Sequence, residues 1–198
     1  MAETINIVSP FTAQGRSIAP MHSELSVLIK DCLAESRGAQ KRLYDLYAPA
    51  AYGVIKRYLY KNETDAQEIL NDSFFKVLTK LDQYTFQGSF EGWIRRIVVN
   101  TITDYLRKNV KDVQPHKEVF EESAFVNSES VEKISHKELL QLVQSLPDSQ
   151  RTVFNLYVFE NYSHKEIANI LNINENNSRW HLNDARRRLK EKINSLMK

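Results

Sequence analysis

Apolar side chains recur along this chain at spacings of three and four residues, the pattern that predicts amphipathic helices. In the N-terminal half the pattern covers residues 25–33, 43–59 and 64–81. A stretch over 84–92 that contains two glycines then interrupts it and predicts a loop. The pattern resumes over 93–108, so the first half of the chain is expected to hold four helices.

Glycine, proline and short polar side chains predict where these helices begin and end. A break at Arg37–Gly38 separates the first two helices. Thr64 and Gln67 have the spacing of a capping box, in which the two side chains satisfy free backbone N–H groups at a helix start. We therefore expect the third helix to begin at Thr64.

The segment Leu146–Leu189 has the pattern of a helix-turn-helix. Pro147 stands where proline is favoured at a first helical turn, and Ser163–Glu166 forms another capping box. Asn172 follows the apolar positions of the second helix and tolerates the left-handed conformation that a tight turn needs. Asn174 is placed to cap the third helix.

Residues 110–130, between the two helical blocks, are acidic and lack helical periodicity, so they are expected to form a linker. No pair of strands is predicted. The fold class is therefore all-α, with two small helical domains joined by a flexible acidic linker. The expected divisions are a flexible tail over 1–22, a domain over 23–111, a linker over 112–133 and a domain over 134–198.

The composition excludes several classes of protein. The 198 residues are 42% hydrophobic and 26% charged, which is typical of a globular protein. The single cysteine, Cys32, excludes an internal disulfide and fits a reducing cytoplasm. No apolar run approaches the roughly 18 residues of a membrane span, and the N-terminus lacks the pattern of a secretory signal. A cytoplasmic protein without membrane insertion is expected.

Charge is distributed unevenly although the net charge is only +2. Residues 91–111 hold five basic and two acidic side chains, and residues 179–198 hold seven basic and two acidic side chains. Residues 112–138 between them hold three basic and seven acidic side chains. Two basic segments around an acidic one are expected if the basic segments contact phosphate and the middle one does not.

The third helix of the helix-turn-helix carries the side chains expected to contact DNA. Ser178, Leu182, Ala185 and Leu189 share one side and are expected to face the core. Polar and aromatic side chains that reach base edges and phosphates surround the rest of its first half. These are Asn176, Asn177, Arg179, Trp180, His181 and Asn183, and Arg186 and Arg187 follow them as phosphate-neutralising residues.

The helix over 64–81 has an acidic outward face. Asp65, Glu68 and Asp72 recur at positions that line up on a helix, and Asn71 and Phe75 border them. An ordinary solvated face would explain this pattern, and so would a docking surface for a basic protein. An acidic face does not suit DNA.

The next helix has a polar stripe, Arg96, Asn100, Thr103 and Arg107, and follows a loop rich in aromatic residues. Basic residues beside exposed aromatics suit single-stranded nucleic acid, because charge holds the backbone and flat rings stack on unpaired bases. The aromatics could equally be core residues. Trp93 is expected in the core, whereas both interpretations stay open for Phe86 and Phe90.

Several segments resemble a known family. Residues 65–74, 88–97 and 104–107, with Asn100, resemble region 2 of an extracytoplasmic-function (group IV) RNA polymerase sigma factor of the sigma-70 family. Residues 146–151 and 163–186 resemble its region 4. The resemblance covers nearly everything after residue 22.

The resemblance implies a function: binding of core RNA polymerase and promoter-specific initiation of transcription. It implies that the acidic face docks on the β′ coiled coil through Asp65, Glu68, Asn71 and Asp72. It implies that region 2 opens the −10 element and holds a flipped base, at a cost offset by stacking and edge contacts. The corresponding residues are Phe86, Gln87, Ser89, Phe90, Arg96, Asn100, Asp104 and Arg107.

The resemblance further implies that region 4 reads the −35 element as duplex DNA and contacts the polymerase β flap. The residues expected to do this lie on the third helix: Asn176, Asn177, Arg179, Trp180, His181, Asn183, Arg186 and Arg187. The linker would pass through the channel that nascent RNA later occupies. Many relatives are restrained by an anti-sigma factor, which is a further expected kind of partner.

This chain departs from the usual family pattern at Trp180, His181, Asp184 and Asn172. The −35 sequence therefore cannot be carried over from relatives. Trp180 either contacts DNA through its ring or packs on region 4, and the exposed role is favoured.

Two other functions compete with this interpretation of the sequence. A helix-turn-helix regulator that works without polymerase explains residues 146–198 but not the acidic helix or the aromatic loop. An enzyme acting on nucleic acid is disfavoured because no acid, base and nucleophile converge, and the histidines lack metal-ligand spacing. We expect no catalytic residues, metal or cofactor.

Overall fold

The computed structural model describes residues 22–109 and 135–196. Within those two ranges the regular structure is helical and no strand occurs. The prediction of an all-α protein with two small helical domains is confirmed. The chain divides into two compact units, one ending at Ile102 and the other beginning at Thr103. The predicted linker and almost all of the predicted N-terminal tail lie outside the described residues.

Four helices and one short turn make up the N-terminal part. They are α1 (His22–Leu33), α2 (Arg37–Tyr58), α3 (Glu63–Thr79), a 3₁₀ turn (Leu81–Gln83) and α4 (Phe90–Asn109). The C-terminal part contains α5 (His136–Gln144), α6 (Asp148–Phe154), a π-helical turn (Asn155–Phe159) that extends α6, α7 (His164–Leu171) and α8 (Glu175–Leu196).

Two of the predicted helix starts in the N-terminal part are wrong, because α2 begins at Arg37 rather than at residue 43, and α3 begins at Glu63 rather than at Thr64. The side chain of Ser36 caps α2, so that helix already includes Arg37 and Gly38 in its first turn. Asn62, not Thr64, caps α3, because its Oδ1 atom accepts a hydrogen bond from the Asp65 amide at 3.1 Å. Both differences have the same cause. In each case a side chain upstream of the predicted start caps the helix and so lets it begin earlier.

α4 begins three residues earlier than the glycine pattern predicted. The Ser89 hydroxyl accepts a hydrogen bond from the Gly92 amide at 3.0 Å, which satisfies a backbone donor of the first turn. Gly92 therefore lies inside the helix rather than in the loop. This earlier start brings Phe90 onto the helix.

Apolar faces predicted from periodicity form the two cores. On α3, the buried positions include Ala66, Ile69, Leu70, Phe74 and Val77, as the spacing predicted. On α8, the predicted core residues Ser178, Leu182, Ala185 and Leu189 are all buried. Two of them form a cluster with α5 and the residues that follow it: Val143, Leu146, Ala185 and Leu189.

The turns of the helix-turn-helix have the predicted local structure. Ser163 and Glu166 form both hydrogen bonds of a capping box at the start of α7. Asn172 ends α7 in the left-handed conformation, with φ 55° and ψ 47°. Asn174 Oδ1 accepts a hydrogen bond from the Asn177 amide at 2.7 Å and so caps α8. These local bonds set the direction in which α8 leaves the turn.

Candidate functional site

The DNA-facing residues predicted on α8 divide into exposed, half-buried and buried groups. Asn176, Arg179 and Arg187 are exposed, and Trp180, Asn183 and Arg186 are half-buried. Asn177 and His181 were expected on the exposed face but are only 5% and 3% exposed. That expectation is wrong because both precede core positions by one residue, and the buried side of α8 is wider than its apolar stripe.

Trp180 packs within its own unit rather than projecting freely. It is half-buried, and its ring centre lies 5.1 Å from that of the buried His181, with the two planes at 81°. This edge-to-face arrangement is a favourable contact between aromatic rings. The geometry therefore supports packing on region 4, the less favoured of the two interpretations from the sequence.

Asp184 is a buried carboxylate that positions the arginines in the middle of α8. It accepts hydrogen bonds from Gln150 Nε2 at 2.9 Å, Arg187 Nη2 at 2.6 Å and Arg188 Nε at 2.8 Å. Burial by itself would raise the pKa of Asp184, but these hydrogen bonds outweigh it and hold the pKa below its ordinary value. The signal in the sequence was an aspartate three and four residues before two arginines.

Arg187 has a second acidic neighbour on the outer side of α8. Its Nη1 atom donates to Glu191 at 2.8 Å, so this predicted phosphate contact is already paired twice within its own helix. Arg179 is paired once, with Glu175 at 3.3 Å. The free protein therefore presents arginines with intramolecular partners, which DNA phosphates would have to replace.

His164 connects the first turn of α7 to α6 and α8. Its ring stacks on Tyr157, with centres 4.7 Å apart, and its Nδ1 atom lies 2.9 Å from the hydroxyl of buried Ser178. Burial lowers the pKa of His164, and the positive charges of Arg179 and Arg186 lower it further against the opposing effect of Glu175. No pattern in the sequence had indicated a role for this histidine.

The aromatic loop before α4 is built around Tyr84. The ring of Tyr84 lies 5.0 Å from Phe86 and 4.9 Å from Phe90, and its hydroxyl donates to the Gly88 carbonyl at 2.9 Å. Phe90 is 3% exposed and also contacts Tyr47, so it is a core residue. Phe86 is 38% exposed. The question left open by the sequence is thus answered differently for the two phenylalanines.

The remaining predicted loop residues and Trp93 complete this region. Gln87 and Ser89 are exposed, although the Ser89 hydroxyl is used in capping α4. Trp93 is half-buried and stacks on Phe90, with the two planes 15° apart. Phe86 has a φ of 58°, a conformation that non-glycine residues adopt rarely. The loop therefore exposes Phe86, while the rings of Tyr84, Phe90 and Trp93 pack against one another beneath it.

α4 carries an exposed polar row. Arg96, Asn100, Asp104 and Arg107 are all exposed and follow one another at intervals of four, four and three residues. Arg107 forms an ion pair with Asp104 at 3.4 Å. Thr103, which the sequence analysis had included in this stripe, is buried. The row thus presents two positive charges, one carboxylate and one amide to solvent.

α3 has the acidic outward face that periodicity predicted. Glu68, Asn71 and Asp72 are exposed and Asp65 is half-buried. Lys76 forms an ion pair with Asp72 at 2.9 Å and so partly neutralises the C-terminal end of this face. Beside these residues Phe75 is 68% exposed, an unusual position for a large apolar side chain.

Two further observations concern metals and membranes. In the ranges that the structure describes, no three side chains of His, Cys, Asp or Glu lie together as metal ligands would. Within the same ranges no helix is both long and apolar enough to span a membrane.

Two family models match successive segments of the chain. Residues 43–111 match the family model described as Sigma-70 region 2, and residues 136–189 match the one described as Sigma-70, region 4. The two matches together cover more than half of the chain, in the order that the sequence analysis assigned to regions 2 and 4.

Individual relatives agree with these matches. The chain is 27% identical to the ECF RNA polymerase sigma factor SigM of Bacillus subtilis, over 77% of this chain and 93% of that protein. It is 26% identical to the ECF RNA polymerase sigma factor SigW of the same species, over 85% and 96%.

A solved structure of the sigma factor RpoE in complex with the anti-sigma factor NepR, from Bartonella quintana, is 20% identical and has a TM-score of 0.45. The match covers 80% of this chain and 98% of that one.

Since two sigma-70 family models match in order and the relatives align over most of their length, the chain belongs to the sigma-70 family, as an extracytoplasmic-function sigma factor that acts in promoter-directed transcription.

Proposed function

We propose that this sigma factor divides its task among three helical surfaces. The outward face of α3 binds core RNA polymerase, the loop before α4 and the row on α4 open the −10 element, and α8 reads the −35 element as duplex. The observation that carries the proposal is the separation of charge: α3 presents carboxylates, whereas α4 and α8 present arginines.

The face of α3 suits a basic protein surface. Glu68 and Asp72 are exposed carboxylates, and Asn71 adds an amide between them. Phe75 adds apolar area that water disfavours and a partner would cover. Charge sets the choice of partner and the rate of encounter, while burial of Phe75 contributes affinity. The β′ coiled coil of the polymerase is the proposed partner.

The α4 region suits an unpaired DNA strand. Phe86 offers a partly exposed ring next to Tyr84, on which an unstacked base can lie. Arg96 and Arg107 provide charge for the backbone, and the Asn100 amide can hydrogen-bond a base edge. Gln87, Ser89 and Asp104 border these groups. Phe90 supports the loop from the core and does not touch DNA.

The α8 region suits duplex DNA. Arg179 and Asn176 are exposed in its first turns, the part of a recognition helix that contacts base edges. Asn183 and Arg186 are half-buried beside them. Arg187 neutralises phosphate if it leaves Glu191. Asn177 and His181 are not proposed as DNA contacts, since both are buried.

The β flap of the polymerase and an anti-sigma factor are proposed as further partners. Both follow from what membership of the family implies.

Run-off transcription of genomic fragments tests the proposal. Core polymerase with the chain should produce discrete transcripts that core polymerase alone does not produce. Gel shifts with the same fragments provide the contrast, because a sigma factor should bind its promoter strongly only with core polymerase. Tight binding by the chain alone, without new transcripts, would instead identify a polymerase-independent regulator.

A further inference from the structure

His164 lies near two arginines of the helix-turn-helix, Arg179 and Arg186. Its ring stacks on Tyr157 at 4.7 Å, and the Arg186 guanidinium lies 5.8 Å from the centre of the same tyrosine ring. Arg179 on α8 is close enough to disfavour a positive charge on His164. The ring of Tyr157 therefore contacts both Arg186 and His164, and these two side chains repel one another when His164 is protonated.

The hydrogen bond to Ser178 allows the imidazole to exist in either charge state. A serine hydroxyl can donate or accept, so it can donate to Nδ1 of neutral His164 and accept from the Nδ1–H of the protonated ring. Stacking on Tyr157 also favours a cationic ring. Protonation therefore breaks no contact. Burial of the ring opposes it most, and the positive charges of Arg179 and Arg186 oppose it further.

A phosphate would offset the part of this opposition that comes from the arginines. Arg179 and Arg186 repel a proton on His164, and Glu175, which attracts one, is engaged with Arg179. An anion beside the two arginines would offset their positive charge and favour a third cation. A DNA backbone is such an anion, and duplex binding is the task proposed for this face.

We propose that His164 is a further DNA contact of region 4, which takes up a proton when duplex binds and then holds a backbone phosphate. This inference rests on the proposed binding of duplex DNA by region 4. By linkage, a group that binds its proton more tightly in the complex makes the affinity for DNA rise as pH falls. The affinity should increase by up to about tenfold for each unit by which the pKa of His164 is higher in the complex.

Histidine NMR of the isotope-labelled full-length chain tests this directly. The ring signals are titrated between about pH 5 and pH 8, alone and with a random-sequence duplex of about 30 base pairs at low salt, where backbone-driven binding is measurable. His164→Gln identifies the signal by its disappearance. The pKa of His164 should lie below its ordinary value without DNA and rise when duplex is added.

A binding measurement gives a second readout. Fluorescence anisotropy with the same duplex should show that the affinity of the unmodified chain rises several-fold from about pH 8 to pH 6. His164→Gln should lose that part of the pH dependence, whereas His136→Gln, which removes a histidine from the first turn of α5, should retain it.

The outcomes separate this inference from the proposed function. An unchanged pKa of His164 on adding duplex, or parallel pH profiles for His164→Gln and the unmodified chain, overturns the inference. Specific run-off transcripts obtained alongside such a result leave the sigma-factor proposal intact. A rise in the pKa without any specific transcripts would support the phosphate contact and count against promoter recognition.

Discussion

The Nε atom of Arg188 donates to the buried carboxylate of Asp184 at 2.8 Å, one turn away on α8. Arg187 donates to the other oxygen of the same carboxylate, and Gln150 reaches it from α6. The arginine run at 186–188, in the middle of α8, therefore has its own counterion. Asp184 both restrains two arginines and joins α6 to α8.

Replacing Asp184 with asparagine should destabilise the C-terminal unit. The amide keeps the size of the side chain but removes the charge that Arg187 and Arg188 contact, so the free energy of unfolding should fall by about 1–3 kcal/mol. Urea unfolding followed by Trp180 fluorescence in a Trp93→Phe background measures it. Asp104→Asn is the matched control, because its pair with Arg107 is exposed and should contribute less than about 1 kcal/mol.

The same carboxylate predicts how stability depends on pH. The pKa of Asp184 is lowered on folding, so its stabilising effect is fully present above the ordinary value of 3.8. The effect should be lost as pH falls below 3.8 through the pKa of the folded state. Stability of Asp184→Asn should therefore approach that of the unmodified chain in acid, and a constant difference down to about pH 2 would refute the assignment.

Asp65→Lys combined with Glu68→Lys should abolish binding of core polymerase. The two substitutions reverse the charge of the α3 face while leaving its buried side unchanged, so helicity should be retained. Pull-down of core enzyme and circular dichroism measure the two properties. A double reversal on α1, Glu24→Lys with Asp31→Lys, is the control, since both residues are exposed. Equal retention of core polymerase by both variants would exclude α3 docking.

Arg179→Ala should weaken binding of holoenzyme to a promoter by about 1–3 kcal/mol if the guanidinium contacts a base bidentately. It should also reduce discrimination at one base pair of the −35 element. Lys190→Ala, three turns later on the same side of α8, should weaken binding to all sequences alike. Competition binding with −35 variants distinguishes the two. If Arg179→Ala weakens every sequence equally, Arg179 contacts phosphate only.

Asn100→Ala should impair opening of the −10 element more than binding of closed duplex. The exposed amide lies in the row on α4 that is proposed to hold a flipped base, and that base is available only after strand separation. Permanganate reactivity of unpaired thymines reports opening, and footprinting reports binding. Lys108→Ala, exposed near the end of α4, should affect both steps similarly. A loss of equal size in both steps for Asn100→Ala would contradict its role with the flipped base.

Local signals account for what could be predicted of the fold. The capping box at Ser163 and the left-handed turn at Asn172 depend on side chains within a few residues of the backbone that they affect. Errors arose where two local signals competed, as at Asn62 and Thr64. A glycine in the first turn of α4 was also misleading, because the Ser89 cap compensates for it.

The sequence by itself determined the all-α class, the two helical blocks and the acidic and basic faces, because hydrophobic spacing and charge are properties of a single helix. Only the tertiary structure decided which polar residues are buried. Asn177, His181 and Asp184 are buried because α6 and α7 cover more of α8 than its apolar stripe. In this buried position Asp184 accepts a hydrogen bond from Gln150 of α6. Likewise, packing against Tyr47 placed Phe90 in the core and left Phe86 exposed. Such contacts join residues far apart in the chain, so the periodicity of a single segment cannot predict them.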